Sequence, residues 1–524
     1  MIVYDTSQFD EQSLQQLNAD ETSWIYNGLD CCVTSEVFNR LNAVMDDEPD
    51  NVRETYNYAL DKLAPIMEMS LRGTYINENV RRKSIAEITK DLDELDAKFQ
   101  RIMKVACQQE DNPKYYFNWN SPHQLKNFFY NMMQIKEIRK RNPQTGQFQP
   151  TVDAAALETF AANYVYARPI ANFILILKDW RKQLSFLKTE IDADSRIRCN
   201  YNITGTNTGR LSSSMSDFGT GTNLQNVNRK LRYPFEADKG YYLLNVDLEQ
   251  SDARFVGAIM WNLFVEEKGP EFAGRFIDAC DSGDLHTTVC RMAWPELDWP
   301  EDETTWKKFC DDLTAHGQDS YRQLAKKLGH GTNYLGTPRT MAKHTHTPTP
   351  IIENFQNRYF RAFPAIPLWH KTRIEQVRET GQITTLFGRR RIFFGRGGDA
   401  ATHRKAIAYE PQSCTGEAID RGLHQVWKAY PQVQLLNQVH DSILFQVPMS
   451  EATALVPRIL ETMQVKIELA QGRIFSVPLD AAGGWNWGYA SPENPYGLKG
   501  WKGKEERIPP MFRPRKRKSF RDIL

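Results

Sequence analysis

Two apolar runs in this chain are each interrupted by a single acid. Tyr241-Tyr-Leu-Leu-Asn-Val-Asp247 reads as a strand that Asp247 closes, and Asp252 and Arg254 follow before a helical pattern begins. The second run, Leu435 to Phe445, is broken by His440 and Asp441, which read as a tight turn between two strands. Between the two runs, Ser320 to Gly336 has helical spacing and sets Arg322, Lys326 and His330 four residues apart, near one face. Like charges at that spacing weaken a helix slightly. Gly329 and Gly331 cost roughly 1 kcal/mol each against Ala in a helix interior. Such a segment is expected to gain elsewhere, from close approach of a ligand or from a hinge.

An acid at a strand end can reach a hard cation, and Mg2+ favours a few carboxylates plus substrate phosphates. Asp247 and Asp441 therefore suffice for two-metal nucleotidyl transfer, in which paired ions activate one oxygen and stabilise the leaving one. An Arg fork, a Lys point charge and an imidazole in a row match a triphosphate. Each element alone has a plainer reading. An Asp can simply be a turn residue, and a basic helix face can be solvated surface ending in a glycine-rich cap. Their combination favours the chemical reading.

The motifs then form an ordered series. Thr208-Gly-Arg-Leu-Ser-Ser213, Asn223-Leu-Gln-Asn226, Asp247 to Arg254, Asp284-Leu-His286, Arg322 to Gly336, Phe387-Gly-Arg-Arg-Arg391, Glu410-Pro-Gln-Ser413 and Val439-His-Asp441 follow one another. In this order they resemble the motifs of family A DNA polymerases, of the bacterial polymerase I type and its phage-like branch, over roughly residues 60 to 490. The resemblance implies an α+β fold, a right-hand polymerase with an antiparallel-sheet palm and largely helical thumb and fingers. It implies that Asp247 and Asp441 are catalytic and hold two Mg2+ ions. Arg322, Lys326, His330, Tyr334, His286, Asp252 and Gln250 would bind the incoming deoxynucleoside triphosphate. Arg210, Asn223, Gln225, Asn226, Arg254, Arg389, Arg390 and His440 would contact primer-template DNA. Minor-groove acceptors common to all base pairs permit such contact without sequence preference.

Four positions depart from the family pattern. Asp252 stands where Glu is usual, at the acid that helps exclude a ribose 2′-hydroxyl, so sugar discrimination is expected to be looser or to rely on a shifted backbone. His330 replaces an aromatic that contacts the deoxyribose. Ser442 replaces a common acidic neighbour of Asp441, so a third carboxylate is expected to be dispensable. Ser413 stands near a usual template-contacting Gln, with Gln412 as its substitute.

The implied organisation is an exonuclease-like remnant (1–60), palm entry and thumb (61–195), palm with the first catalytic motif (196–255), fingers (256–375), palm with the last motif (376–490) and a basic, mobile tail (491–524). Trp24 to Glu36 resembles the last motif of the family's 3′–5′ exonuclease, with Tyr26 and Asp30 in the key places. The earlier exonuclease motifs have no room upstream, so a complete exonuclease domain is expected to be lacking. The segment is read as a docking helix packed under the palm. Its alternatives are the relic of a split gene, or half of a site completed by a separate exonuclease polypeptide or replisome partner. Of three adjacent arginines, 389–391, an extended segment turns at most two to DNA. The tail from Lys499 to Arg521 is crowded with Lys and Arg and broken by prolines, so it should lack a packed core.

Composition narrows the rest. The 524 residues leave room for several subdomains, and 41% hydrophobic with 25% charged residues is ordinary for a soluble protein. A net charge of +1 requires DNA binding to come from local basic patches. No apolar run suits a bilayer and no signal-peptide pattern opens the chain, so no membrane partner is expected. Eight scattered cysteines without a Cys-x-x-Cys pair read as reduced thiols. The phage-like resemblance implies host cytoplasm, or bacterial cytoplasm, as the place of work. Two other functions compete: a single-subunit RNA polymerase, and a catalytically silent DNA-binding replisome subunit. Thr208 to Ser213, Asn223 to Asn226 and the acid at Asp252 favour the DNA enzyme over the first. The joint presence of Asp247, Asp441, Arg322 and Lys326 argues against the second.

Overall fold

Burial alternates along the first apolar run, and that alternation fixes a strand. The computed structural model describes residues 18–142, 144–315 and 319–501. In chain order its principal helices and strands are α1 (Ala19–Asp46), α2 (Asp50–Asp61), α3 (Glu78–Ala106), α4 (Arg168–Leu187), β1 (Tyr241–Leu248), α5 (Ser251–Lys268), α6 (Leu285–Ala293), α7 (Tyr321–Asn333), α8 (Ala365–Thr380), α9 (Ala400–Ala429), β2 (Gln434–Val439), β3 (Ser442–Pro448), β4 (Leu479–Gly484) and β5 (Lys499–Gly500). They divide between two compact units. One holds Ala64–Ser251, Ala418–Glu468 and the residues from Gly472; the other holds those up to Leu63, Asp252–Glu417 and Leu469–Gln471.

The first unit is built on a five-stranded antiparallel sheet in the order β2-β3-β1-β4-β5. Tyr242, Leu244, Val246 and Leu248 are buried on one face of β1, while Asn245 and Asp247 on the other are partly open. Ile443, Phe445 and Val447 of β3 continue the apolar face. Each such side chain contributes about 2 kcal/mol on burial. A one-residue slip would turn the whole set to the wrong side, so the register is strongly specified. A separate aromatic core lies between α3, α4 and the chain connecting them. Phe99, Phe117, Phe128, Phe129 and Phe160 meet there with ring centroids 5.0–6.0 Å apart.

Part of the tail expected from residue 491 is packed. Leu498 is buried, β5 pairs with β4, and the Trp501 N–H donates to the Ala481 carbonyl at 2.8 Å. Tryptophan and leucine among the basic residues supply the apolar contacts that the charge count hides. The remainder of that tail, 502–524, lies outside the described residues.

In the second unit the segment that starts at Asp252 runs on to Glu417. The cause is a small core of Val377, Ile383, Phe393, Ala406 and Tyr409, together with the buried Arg373–Glu410 pair at 2.7 Å, which ties α8 to α9. α1 starts on a capping box, Asn18 with Glu21. None of its residues is buried, and Trp24 and Tyr26 stand open to solvent, so the packed docking helix expected there is not what forms. The chain just after it is fixed instead. Glu48 accepts two bonds from Arg390 at 2.6 and 2.8 Å, and Gly388 (φ +88°) lies where a Cβ would come within 2.9 Å of Asn51. Both its backbone angle and that approach call for glycine.

Candidate active site

The β2–β3 hairpin and β1 bring the two key acids to one end of the sheet. Val439 pairs with Ser442 across a turn made of His440 and Asp441, and Ser442 pairs in turn with Asp247. The Leu248 N–H donates to the Asp441 carbonyl at 3.0 Å, joining the turn directly to β1. His440 is exposed with φ +56°, a left-handed conformation that costs a non-glycine residue roughly 1 kcal/mol. Side chains behind the turn hold it there. Gln438 Nε2 donates to the His440 carbonyl at 2.7 Å, and Gln225 Nε2 donates to Gln438 Oε1 at 2.8 Å and to the Leu211 carbonyl at 3.2 Å. Tyr201 Oη accepts from the Gln438 N–H at 3.1 Å.

Sequence reasoning missed two neighbours of Asp247. Asp480 of β4 is its register partner on the side opposite Ser442, and it is exposed. Arg232 lies with its guanidinium 4.2 Å from the Trp487 ring; burial and the nearby Arg229 push its pKa down to about 10, while Asp247 pulls the other way. Strand order carries the first signal and is invisible in a single sequence. Among the described residues no cluster of three His, Cys, Asp or Glu side chains forms a ready metal cage. The residues that could hold a cation there are Asp247 and Asp441, two partly exposed carboxylates on neighbouring backbone, a pair that would suit Mg2+ completed by phosphate oxygens and water.

The cationic helix is built as its spacing implies. α7 is capped by Ser320, buries Leu324, Ala325, Leu328, Gly329 and Thr332, and leaves Lys326 and His330 exposed with Arg322 half-buried. Arg322 donates from Nε and Nη2 to Asp284 at 2.6 and 2.8 Å. Asp284 is the N-cap of α6 and accepts from the Thr287 N–H at 3.0 Å. Burial acts to raise the Asp284 pKa, but Arg322 and Thr287 outweigh it and hold the carboxyl well below the usual range. His286 is pushed down to about 4, first by burial and then by Lys326, Arg322 and His330. Those four cationic or imidazole groups therefore share one neighbourhood. The His330 and Tyr334 rings meet edge to face at 4.7 Å, and Tyr334 Oη donates to Asp252 at 3.2 Å. Gly331 makes room for Met341, whose Sδ would lie 2.5 Å from a Cβ. The glycine thus serves packing against Met341.

Residues expected at DNA divide into two groups. Asn226 and His440 are exposed, and Arg210 is half-buried. Asn223 accepts from Ser213 Oγ at 2.7 Å and from the Gln225 N–H at 3.0 Å. Gln225 is buried behind the His440–Asp441 turn, and Arg254 is buried against Asp281 and the Cys280 carbonyl, so both are engaged with protein. Their motif positions place them on backbone that folds inward. The three arginines also have protein partners: Arg389 lies 3.7 Å from Glu417, Arg390 pairs with Glu48, and Arg391 stacks on Phe393 and Tyr409. Gln250, at φ +54° between β1 and α5, keeps its Oε1 buried without a hydrogen bond. Strain of that kind gathers at functional sites.

Comparison with known proteins gives a consistent answer. The family model for DNA polymerase family A matches residues 84–289 and 302–489. DNA polymerase I of Treponema pallidum is 24% identical over 448 residues, covering 81% of this chain and 39% of its own length. The thermostable DNA polymerase I of Thermus aquaticus is 25% identical over 429 residues, covering 78% of this chain and 45% of its own. The chain thus spans less than half the length of these curated relatives. Among solved structures, the POL domain of Pol1 from M. smegmatis, in complex with DNA primer-template and dNTP, superposes with a TM-score of 0.63 at 22% identity. That match covers 82% of this chain and 70% of that one, and it bears out the α+β polymerase fold with its antiparallel sheet. With a family model matching well over half of its residues, the chain belongs to DNA polymerase family A.

Proposed function

We propose that this protein is a template-directed DNA polymerase that adds deoxynucleotides to a primer 3′-hydroxyl. The observation that carries the reading is the placement of Asp247 and Asp441 side by side at the sheet end, in a chain of this family. The two carboxylates would hold Mg2+, which supplies Lewis acidity for the attacking hydroxyl and for the charge that builds on the leaving oxygen. The chain's own part is positioning and charge. Arg322 and Lys326 bind the triphosphate, Arg322 through its two-pronged fork and Lys326 as a mobile point charge. His286, neutral at neutral pH, adds a hydrogen bond there without a further charge. The Gln225–Gln438 bracket keeps the Asp441 turn in its strained shape, so the acid need not reorganise as charge develops. Tyr334 and Asp252 line the sugar, and exposed Asn226 and His440, with half-buried Arg210, face primer-template DNA. The M. smegmatis relative is described with primer-template and dNTP, which supports the same partners here.

The test is extension of a labelled primer by Asp247→Ala and Asp441→Ala variants, read beside DNA affinity. Losing several kcal/mol of charge stabilisation should cut extension on the order of 10³-fold. DNA affinity should stay within a few-fold of the parent. Near-full extension by Asp441→Ala would remove it from the catalytic pair.

A further inference from the structure

Asp252 is held at both of its oxygens. Tyr334 Oη donates to Oδ2 at 3.2 Å, and Thr415 Oγ1, from the middle of α9, donates to Oδ1 at 2.8 Å. Thr415 is fully buried at 0% exposure, whereas Asp252 is partly open. A threonine inside a helix commonly turns its hydroxyl back to the carbonyl four residues earlier; this one reaches across to another helix instead. With one hydroxyl on each oxygen, rotation of the carboxylate breaks both bonds. The aspartate plane is therefore fixed by two helices, α7 through the tyrosine at its end and α9 through the threonine.

We infer that Thr415 is a positioning residue for sugar choice, acting through Asp252. The inference rests on the polymerase reading above, in which Asp252 lines the incoming sugar. A carboxylate tied back by Thr415 presents a rigid edge whose oxygens are already engaged, so a ribose 2′-hydroxyl gains little by donating to it. Removing the Thr415 hydroxyl takes away its bond to Oδ1 and loosens the short side chain toward that 2′-hydroxyl. A ribonucleotide then acquires a hydrogen bond to a charged acceptor, and a deoxynucleotide acquires nothing. The device also explains how an aspartate can serve at this position: its reach is set by a partner that holds it and not by chain length alone.

The experiment compares kcat/KM for a ribonucleoside triphosphate and its deoxy counterpart on one primed template with Mg2+, using the parent, Thr415→Val and Thr415→Ser. The ratio of the two constants cancels the fraction of active protein, so partial unfolding cannot imitate the effect. Thr415→Val should raise the ribo-to-deoxy ratio about tenfold, the weight of one hydrogen bond to a charged group. Thr415→Ser, which keeps the hydroxyl, should return the ratio to within about threefold of the parent. An unchanged ratio in Thr415→Val would overturn the inference. So would a serine variant as altered as the valine one, or loss of extension with both sugars alike, because each points to a packing role. Failure of the parent to extend with either sugar would count against the polymerase reading itself, a result distinct from all of these.

Discussion

Arg254 is 4% exposed, with its guanidinium between Asp281 and the carbonyl of Cys280. Replacing it with Ala removes that pair and leaves Asp281, itself half open, to water. The expected cost is about 2 kcal/mol in denaturant unfolding, below the figure for a fully buried pair. The salt dependence of DNA binding should stay as it was, since a phosphate contact would change the slope and a structural pair does not. A shallower slope in Arg254→Ala would return the residue to the DNA surface. Gln225 teaches the same lesson, because its amide faces Gln438 and Leu211. In both cases the motif told which residues matter, and only the fold told which way they point. Asp247, Asp441 and the row on α7 were legible because each interrupts or repeats a pattern on its own element.

At the scale of the element, α7 carries two glycines with opposite environments. A Cβ on Gly329 would rest 3.7 Å from the Tyr359 ring, an ordinary contact, whereas one on Gly331 would press on Met341 Sδ at 2.5 Å. Gly329→Ala should therefore gain part of the roughly 1 kcal/mol of helix propensity and raise Tm. Gly331→Ala gains the same propensity but must displace the flexible Met341 thioether, which offsets part of that gain, so its Tm should rise less. Equal shifts for the two would contradict this account of the helix. The helix, its cap at Ser320 and its cationic face could be read from spacing. What Gly331 accommodates could not, since Met341 reaches it from the next helix. The arginine run was opaque for a similar reason: Glu48 and Glu417, far away in sequence, provide the partners.

Across the whole molecule, two imidazoles shifted by burial contribute to how acid acts on the fold. His370 is buried and donates from Nε2 to the Asn333 carbonyl at 2.8 Å, and burial pushes its pKa from 6.5 down to about 4. His286 moves in the same direction, also to about 4. Between those values the unfolded chain binds more protons than the folded one, so stability is full above pH 6.5 and falls as pH drops toward 4. His370 alone should account for on the order of 3 kcal/mol by pH 4. Urea midpoints compared between the parent and His370→Gln should show the variant losing less stability over that window. The class of fold followed from the motif series, but the sheet order that sets Asp480 beside Asp247 did not, because long-range register leaves no trace in one sequence. Packing of residues 491–501 escaped notice for a related reason, as Trp501 finds its partners on distant β1 and β4. The proposed function has this chain copy a DNA template with deoxynucleotides, and extension of a labelled primer with Mg2+ decides it, with deoxynucleoside and ribonucleoside triphosphates supplied in separate reactions. The account predicts template-complementary extension with deoxynucleotides and far less with ribonucleotides. Preference for ribonucleotides, or no extension with either, would contradict it.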